Sequence, residues 1–495
     1  MLTRICGIAA LSLSVPLSAH AGLTCADVLK ALSKDLADAT CFQSTDLTTN
    51  NAQTTPADNS LPGLPPGAFT PATDRNVISP NAPDHTPITK AVPGLQIQAR
   101  IASDPQGQAR FLLRLPNDWN GRLVVAGASG TRSEFNGDFA WSDYVVQKGF
   151  AYASQNKGVY NLRIVSLSSP TPPEPLACRL NPSSQIWVHF YDNDPGQEFT
   201  RWTDFMVKAG ELAQKGVRAG YGEPPRYTYA VGTSNGGYQV RRAVESAPQV
   251  FDGGVDWEGT FVDAHAPNLL TDLPAGVLNY PDYKASGFNP ASTAAQNIQA
   301  AGYPPDIVNS PTASLWTNYW TSFWEVTQCQ WQKRLDPGYD TYGSGTGTYN
   351  YVARLSASDV GANMASFATT GRIQRPLITV AGTMDGLLPI DHHARAYARK
   401  VAAAAKHRHH GQGRDSERAA YRLYEVQNGN HIENYKQLGF PQLEFIQPHA
   451  QKAFDLLVDQ VERNIPLPPS QCIARGTQIS EKPGQPGHCA SLFVP

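Results

Sequence analysis

The stretch YTYAVGTSNGGYQVRRAVESAP, Tyr227 to Pro248, decides how this chain is read. It opens on β-branched and aromatic residues, passes through Gly232-Thr233-Ser234-Asn235-Gly236-Gly237, and continues into a helix-like run, Tyr238–Ser246. Strand, glycine turn and helix in that order are the setting of the G-x-S-x-G elbow, which holds a serine in a strained conformation between strand and helix. A side chain at Gly232 or Gly236 would collide with its neighbours in such a turn. The helix that follows aims its N-terminus at the serine, which favours developing negative charge. Five residues are a short pattern, and a glycine turn with a capping serine is the plain alternative. The rest of the chain has to decide.

A nucleophilic serine needs a base, and the base needs an orienting acid. On an elbow of this type both follow the serine in the order Ser, acid, His, on loops after later strands. Asp385 follows the strand-like LITVAG, and His431 follows YRLYEVQNGN, with a helical stretch between them. Ser234, Asp385 and His431 are therefore the expected catalytic residues. Asp256 and Glu258 end the strand next after the serine and are rival acids, read as scaffold, with Asp263 and His265 as rim residues just beyond. His392 and His393 read as helix residues, and His407, His409 and His410 as a solvated basic loop. An oxyanion hole needs two backbone N–H donors. One is expected from Asn235. The other is expected from the loop after RLVVAG, at Ala128 or Ser129. Arg132 in that loop is a candidate partner for a substrate carboxylate, against the plainer reading of a surface arginine.

Outward from the elbow, strand-like and helix-like segments alternate. LQIQARIAS and ARFLLRLP alternate like paired strands; GRLVVAGASG, FAYASQNKG, FDGGVDWEGT and RPLITVAGTMDGLLP read as strands ending in loops. Thr200–Gly220 places Trp202, Phe205, Met206, Ala209, Leu212, Ala213 and Val217 on one helical face. Asp391–His407 and Pro448–Asn464 are the later helices. This predicts an α/β fold with a mostly parallel sheet covered on both faces. Between Val262 and Thr370 the alternation fails, and that segment is expected to be a large insertion over the sheet. Its Trp316, Tyr319, Trp320, Phe323 and Trp324 recur at helical spacing. Such a stripe is ordinarily core, but Trp316, Trp320 and Trp324 are candidates to line a substrate pocket. The expected division is a leader over 1–21, a disulfide-closed wrapping segment over 22–94, a core over 95–261, the insertion over 262–370 and the rest of the core over 371–495.

The leader is read from a charged Met1–Arg4, an apolar run too short to span a bilayer, and Ala19-His20-Ala21, with small residues suited to cleavage before Gly22. No later window offers about 18 consecutive apolar residues, so no membrane span is expected. A formal net charge of −2 gives no electrostatic case for nucleic acid or an anionic surface. Of seven cysteines, Cys6 lies in the leader. The other six suit an oxidising compartment, secreted or periplasmic, and three disulfides. Proximity favours Cys25–Cys41 and Cys472–Cys489, leaving Cys178–Cys329. None has metal-ligand spacing, and no metal or cofactor is expected. Asp192, Asp194, Asp336 and Asp340 lie in loops but do not match an EF-hand.

LPNDWNGRLVVAG and RWTDFMVKAGELAQKGVRAGYGEPPRYTYAVGTSNGG resemble the tannase and feruloyl esterase family, and Ser-Asn-Gly-Gly also resembles the secreted 3-hydroxybutyrate oligomer hydrolases. The likeness runs best from Leu115 to Gly237. It implies an α/β-hydrolase core with a large lid, and it carries Ser234, Asp385 and His431 over as the triad. Tannases and feruloyl esterases place a cysteine before the serine and another beside the histidine, joined as a disulfide. Here those neighbours are Thr233, Asn430 and Ile432, and the family's glycine-rich oxyanion sequence is replaced by Ala128-Ser129-Gly130-Thr131. The expectation is a secreted serine carboxylic-ester hydrolase acting on a small-molecule or oligomeric ester, with hydroxyacid ester or polyester oligomers favoured. A phenolic-ester hydrolase and a non-catalytic binding protein on the same scaffold are the alternatives.

Overall fold

The computed structural model describes residues 23–55, 75, 86–130, 133–159, 163–189, 199–339, 349–409 and 420–495. The expected leader, Arg132, Asp192, Asp194, Asp340 and His410 lie outside the described residues, as do the side chains of His407 and His409.

The core is one eleven-stranded sheet. Its strands in chain order are β1 (Leu36–Ser44), β2 (Gly94–Ile101), β3 (Arg110–Pro116), β4 (Arg122–Gly127), β5 (Ala151–Gln155), β6 (Tyr227–Thr233), β7 (Gly253–Trp257), β8 (Leu377–Gly382), β9 (Tyr421–Val426), β10 (Gln471–Ile473) and β11 (Gln485–Pro486). The spatial order is β1-β2-β3-β5-β4-β6-β7-β8-β9-β10-β11. From β5 across to β10 every pairing is parallel, and the strands at either side of that run pair antiparallel. The central strands are short apolar runs because both faces are covered, and successive side chains enter opposite layers. Leu123, Val125 and Ala230 pack on one side with Met206, Ala209, Leu212 and Val217 of helix α1 (Thr200–Tyr221) and Val240 and Val244 of helix α2 (Asn235–Ser246). Val124, Tyr229, Val231 and Val380 face the other side, with Phe454 and Leu457 of the last helix. This is the mostly parallel, doubly covered sheet expected from the alternation, and it fits the α/β-hydrolase core that the resemblance implies.

The helices lie close to their expected bounds, and the predicted face of α1 is buried apart from a half-buried Phe205. Three strands of this sheet went unpredicted. β1 follows the short Cys25–Leu32 helix, and β10–β11 follow the last helix, so both chain ends of the described core extend the sheet. β1 is an edge strand without clean alternation, and β10 and β11 are only three and two residues long, so periodicity does not reveal them.

Among the described residues of 262–370 the regular structure is mostly helical, including α3 (Leu269–Ala285), α4 (Leu315–Ser322) and α5 (Trp324–Leu335), with one small hairpin of Val308–Ser310 and Ala313–Ser314. The expected single aromatic helix is two: Phe323 leaves helical geometry at φ −133° and ψ −50° and divides α4 from α5. A further excursion leaves the sheet before α1. Arg163–Ser166, Trp187–His189 and Cys178–Arg179 form a three-stranded sheet, and the Cys178–Cys329 disulfide ties it to α5. Cys25–Cys41 and Cys472–Cys489 also pair as proximity suggested. Among the described residues no helix is long and apolar enough to cross a membrane.

Candidate active site

Ser234 sits between β6 and α2 at φ 58° and ψ −123°, a left-handed conformation that a non-glycine residue adopts only when its surroundings force it. The forcing is visible. Ser234 N–H donates to Trp257 O at 2.9 Å, and Tyr238 N–H donates to Ser234 O at 3.0 Å. The two flanking glycines allow the backbones to close. A Cβ on Gly232 would lie 2.4 Å from Gly236 O, and one on Gly236 would lie 2.5 Å from Gly127 O. Strand β4, the elbow and α2 can touch only with glycine at both places.

Two loops from later strands converge on the serine. His431 Nε2 is 3.0 Å from Ser234 Oγ, and His431 Nδ1 is 2.8 Å from Asp385 Oδ2. The far oxygen of Asp385 accepts N–H bonds from Leu387 at 2.8 Å and Leu388 at 2.7 Å, so the carboxylate is fixed and has one oxygen left for the imidazole. Ser234, Asp385 and His431 are 5 %, 2 % and 1 % exposed. Such burial strengthens every charge interaction among them. The three residues named from sequence are therefore a continuous hydrogen-bonded chain, in which Ser234 and His431 meet across a sequence separation of 197.

The oxyanion side requires one correction. Ser129 N–H already donates to Asn136 Oδ1 at 3.0 Å, and Ser129 Oγ donates to the same atom at 2.7 Å. An amide so engaged cannot also serve a substrate oxygen, which leaves Ala128 of the two candidates. Asn235 stands at the first position of α2, where N–H groups lack intrahelical acceptors. The loop carrying Ala128 is held from below. Gln239 Nε2 donates to Ala128 O at 2.9 Å, and the Lys157 ammonium donates to Ala128 O at 3.2 Å, to Ser129 O at 2.9 Å and to Gly130 O. Sequence reasoning missed Gln239, Lys157 and Asn136. Each acts on backbone atoms of another segment, and no spacing within the chain encodes that.

The other candidates separate clearly. Asp256 is scaffold: it accepts from Arg241 at 2.5 Å, Thr379 at 2.7 Å and Gly259 N–H at 2.7 Å. Asp263 pairs with Lys400 and lies beside the exposed His265. Asp336 holds Arg354 at 2.6 Å. His392 and His393 are not in a helix; they precede the Ala394–His409 helix and face Asp272 of α3 at 2.9 Å and 3.4 Å. Trp316 and Trp324 lie in the packed interior rather than on a pocket wall. The Trp316 ring packs against Tyr283, and Trp324 Nε1 donates to Gly386 O at 2.7 Å. Trp320 is partly exposed and stacks on Tyr280 at 5.2 Å.

The aromatic stripe does reach the site, through a residue not singled out. Tyr319 packs so closely on the acid loop that a Cβ on Gly386 would lie 2.4 Å from its ring. Its hydroxyl donates to Asn430 Oδ1 at 2.7 Å, beside His431. Glu258 was set aside as scaffold, yet its Oε2 is 3.6 Å from His431 Nδ1. Burial first, and the Asp385 charge second, push its carboxyl well above the usual carboxylate range. Glu258, Asp385 and His431 are also the one group among the described residues with donor atoms close enough, within 4.8 Å, to surround a cation. The short Nδ1–carboxylate bond and the Nε2–Oγ contact instead match an acid–base chain.

Comparison with known proteins bears on the fold and on the family likeness. A model of the 3HB-oligomer hydrolase family matches residues 332–492, a span that takes in Asp385 and His431 but not Ser234. A D-(-)-3-hydroxybutyrate oligomer hydrolase of Burkholderia thailandensis is 30 % identical over 136 residues, 27 % of this chain and 18 % of the relative. One from Burkholderia mallei is 29 % identical over 136 residues, with the same shares. The match thus spans less than a fifth of these relatives' length. A solved esterase from Aspergillus oryzae superposes over 88 % of this chain and 90 % of that one, with a TM-score of 0.52 and 13 % identity. The chain has the fold of the α/β-hydrolase esterases, and its acid and histidine loops lie in the part that resembles 3HB-oligomer hydrolases.

Proposed function

We propose that this protein is a secreted serine esterase that cleaves hydroxyacid ester oligomers through an acyl-enzyme. The observation that carries the reading is the unbroken chain Ser234–His431–Asp385 on a strained elbow at a helix N-terminus. His431 Nε2 takes the serine proton as Oγ bonds to the ester carbonyl carbon. The N–H groups of Asn235 and Ala128 receive the negative charge that forms on the carbonyl oxygen. His431 then returns the proton to the leaving alcohol, and water, activated by the same imidazole, releases the acid. Asp385 fixes the Nδ1–H tautomer and offsets the imidazolium charge. The three disulfides suit an oxidising compartment.

The hydroxyacid preference rests on the matched family and on Thr233, Asn430 and Ile432, which stand where the phenolic-ester relatives would carry a disulfide. The direct test offers 3-hydroxybutyrate dimers and trimers, feruloyl esters and galloyl esters to the wild type and to Ser234→Ala. Hydroxybutyrate oligomers should turn over fastest, and the variant should lose at least about 10³-fold in kcat. Faster turnover of the feruloyl or galloyl ester would replace the substrate class. Full activity in Ser234→Ala would overturn the mechanism.

A further inference from the structure

We propose that Glu258 is a second orienting carboxyl for His431, held in reserve beside Asp385. The inference rests on the triad reading above. Glu258 follows β7 at φ 51°, a left-handed conformation that a side chain adopts only under constraint. Its N–H donates to Val380 O at 2.8 Å, and its Oε1 accepts the Gly382 N–H at 3.0 Å. Both bonds go to the end of β8, three to five residues before Asp385. They turn Oε2 toward the imidazole, 3.6 Å from Nδ1, where it accepts no hydrogen bond from the described residues.

Two carboxyls thus face one imidazole edge. Two buried like charges this close do not both ionise. Asp385 has two backbone N–H bonds and the short imidazole bond, whereas Glu258 has one backbone N–H bond and a weaker approach from the Trp257 indole N–H. Asp385 is therefore the anion and Glu258 the neutral acid in the resting protein. The remaining titratable groups that bear on Glu258 and Asp385 are His431, Glu433 two residues further along, the Tyr319 hydroxyl of α4, and, on the Asp385 side, the Tyr303 hydroxyl and His393. Burial lowers the His393 pKa, which disfavours a positive charge there. Removing Asp385 removes the second of the two causes that keep Glu258 protonated, burial being the larger, and exposes Nδ1–H to Oε2. Glu258 then loses its proton to solvent as pH rises, accepts the Nδ1–H bond, and balances the imidazolium formed when Nε2 takes the serine proton.

The test is the pH dependence of kcat/KM for Asp385→Ala, with and without Glu258→Gln, on a p-nitrophenyl ester. Asp385→Ala should lose about 10³- to 10⁴-fold at pH 7 and recover by roughly tenfold or more toward pH 9, where wild type is flat. The double variant should show no recovery. No recovery in Asp385→Ala, or a recovery that survives Glu258→Gln, would overturn the proposal. A second readout does not need Asp385→Ala to fold. In an otherwise wild-type protein, Glu258→Gln should leave the acid limb of the pH profile in place, because the replaced group carries no charge there. A fall of that limb by a full pH unit would show a resident anion and contradict the reserve role. Fluorophosphonate labelling of wild type separates the two failures. Absent labelling removes the triad reading itself, whereas labelling with no high-pH recovery removes only the role of Glu258.

Discussion

At the scale of single residues, Asp385 makes the sharpest prediction. Leu387 and Leu388 donate their N–H groups to Oδ1. In Asp385→Asn the amide oxygen must stay with those donors, so the NH₂ group turns to His431 Nδ1. The imidazole then carries its proton on Nε2, facing Ser234, and cannot act as a base. The expected loss in kcat is about 10⁴-fold, with the melting temperature little changed. A loss under tenfold, measured by steady-state kinetics, would show that Asp385 does not set the tautomer. Ser234, Asp385 and His431 were legible in the sequence because strand, loop and residue type recur together, in a fixed order. Glu258, Lys157 and Gln239 were not. Their partners are backbone carbonyls, amides and an imidazole brought close only by sheet order, and Glu258 carried the same strand-end signal as the inert Asp256.

At the scale of elements, helices α4 and α5 are fastened to the loops that carry Asp385 and His431 rather than resting above them. Tyr319 and Trp324 grip the acid loop at Gly386, and Tyr319 also holds Asn430. Tyr319→Phe leaves Asn430 Oδ1 without this donor. It should cost on the order of 1–3 kcal/mol in stability, by denaturant unfolding, and lower kcat more than it raises KM. A change confined to KM would place Tyr319 in substrate binding instead. Helix α3 is fastened through Asp272 to His392 and His393. Burial alone would lower the His392 pKa, but the hydrogen bond and charge of Asp272 outweigh it and raise it. A histidine raised in the folded state stabilises most below its unfolded value near 6.5, and that contribution fades as pH rises through the folded value. The melting-temperature gap between wild type and His392→Ala should therefore be widest in mild acid and close toward pH 9. A gap independent of pH would leave no role for the His392 charge. The helical nature of this segment was half legible. The aromatic spacing marked a helix, but the break at Phe323 was invisible, because it follows from how Trp324 seats on Gly276 of α3, where a Cβ would lie 2.6 Å from the indole.

At the scale of the molecule, a parallel sheet brings the ends of β4, β6, β7, β8 and β9 to one edge, and Ala128, Ser234, Asn235, Glu258, Asp385 and His431 all come from those ends. That convergence was readable from the alternation of strands and helices. The polar edge strands and the excursion over 163–189 were not, because their order depends on neighbours distant in sequence. The Cys178–Cys329 bridge closes a separation of 151 residues between the excursion and α5. By chain entropy it contributes up to about 5 kcal/mol, against about 3 kcal/mol for each of the two short loops. Replacing both of its cysteines with serine should thus lower the unfolding midpoint more than opening Cys25–Cys41 does. The reverse order would show that the excursion is held by packing alone. The central claim, that Ser234 is the nucleophile, is tested most directly by fluorophosphonate modification mapped by mass spectrometry. The account predicts one adduct per chain, on Ser234, with esterase activity lost in proportion to labelling and no adduct in Ser234→Ala. An adduct on another residue, or activity that persists in fully labelled protein, would contradict it.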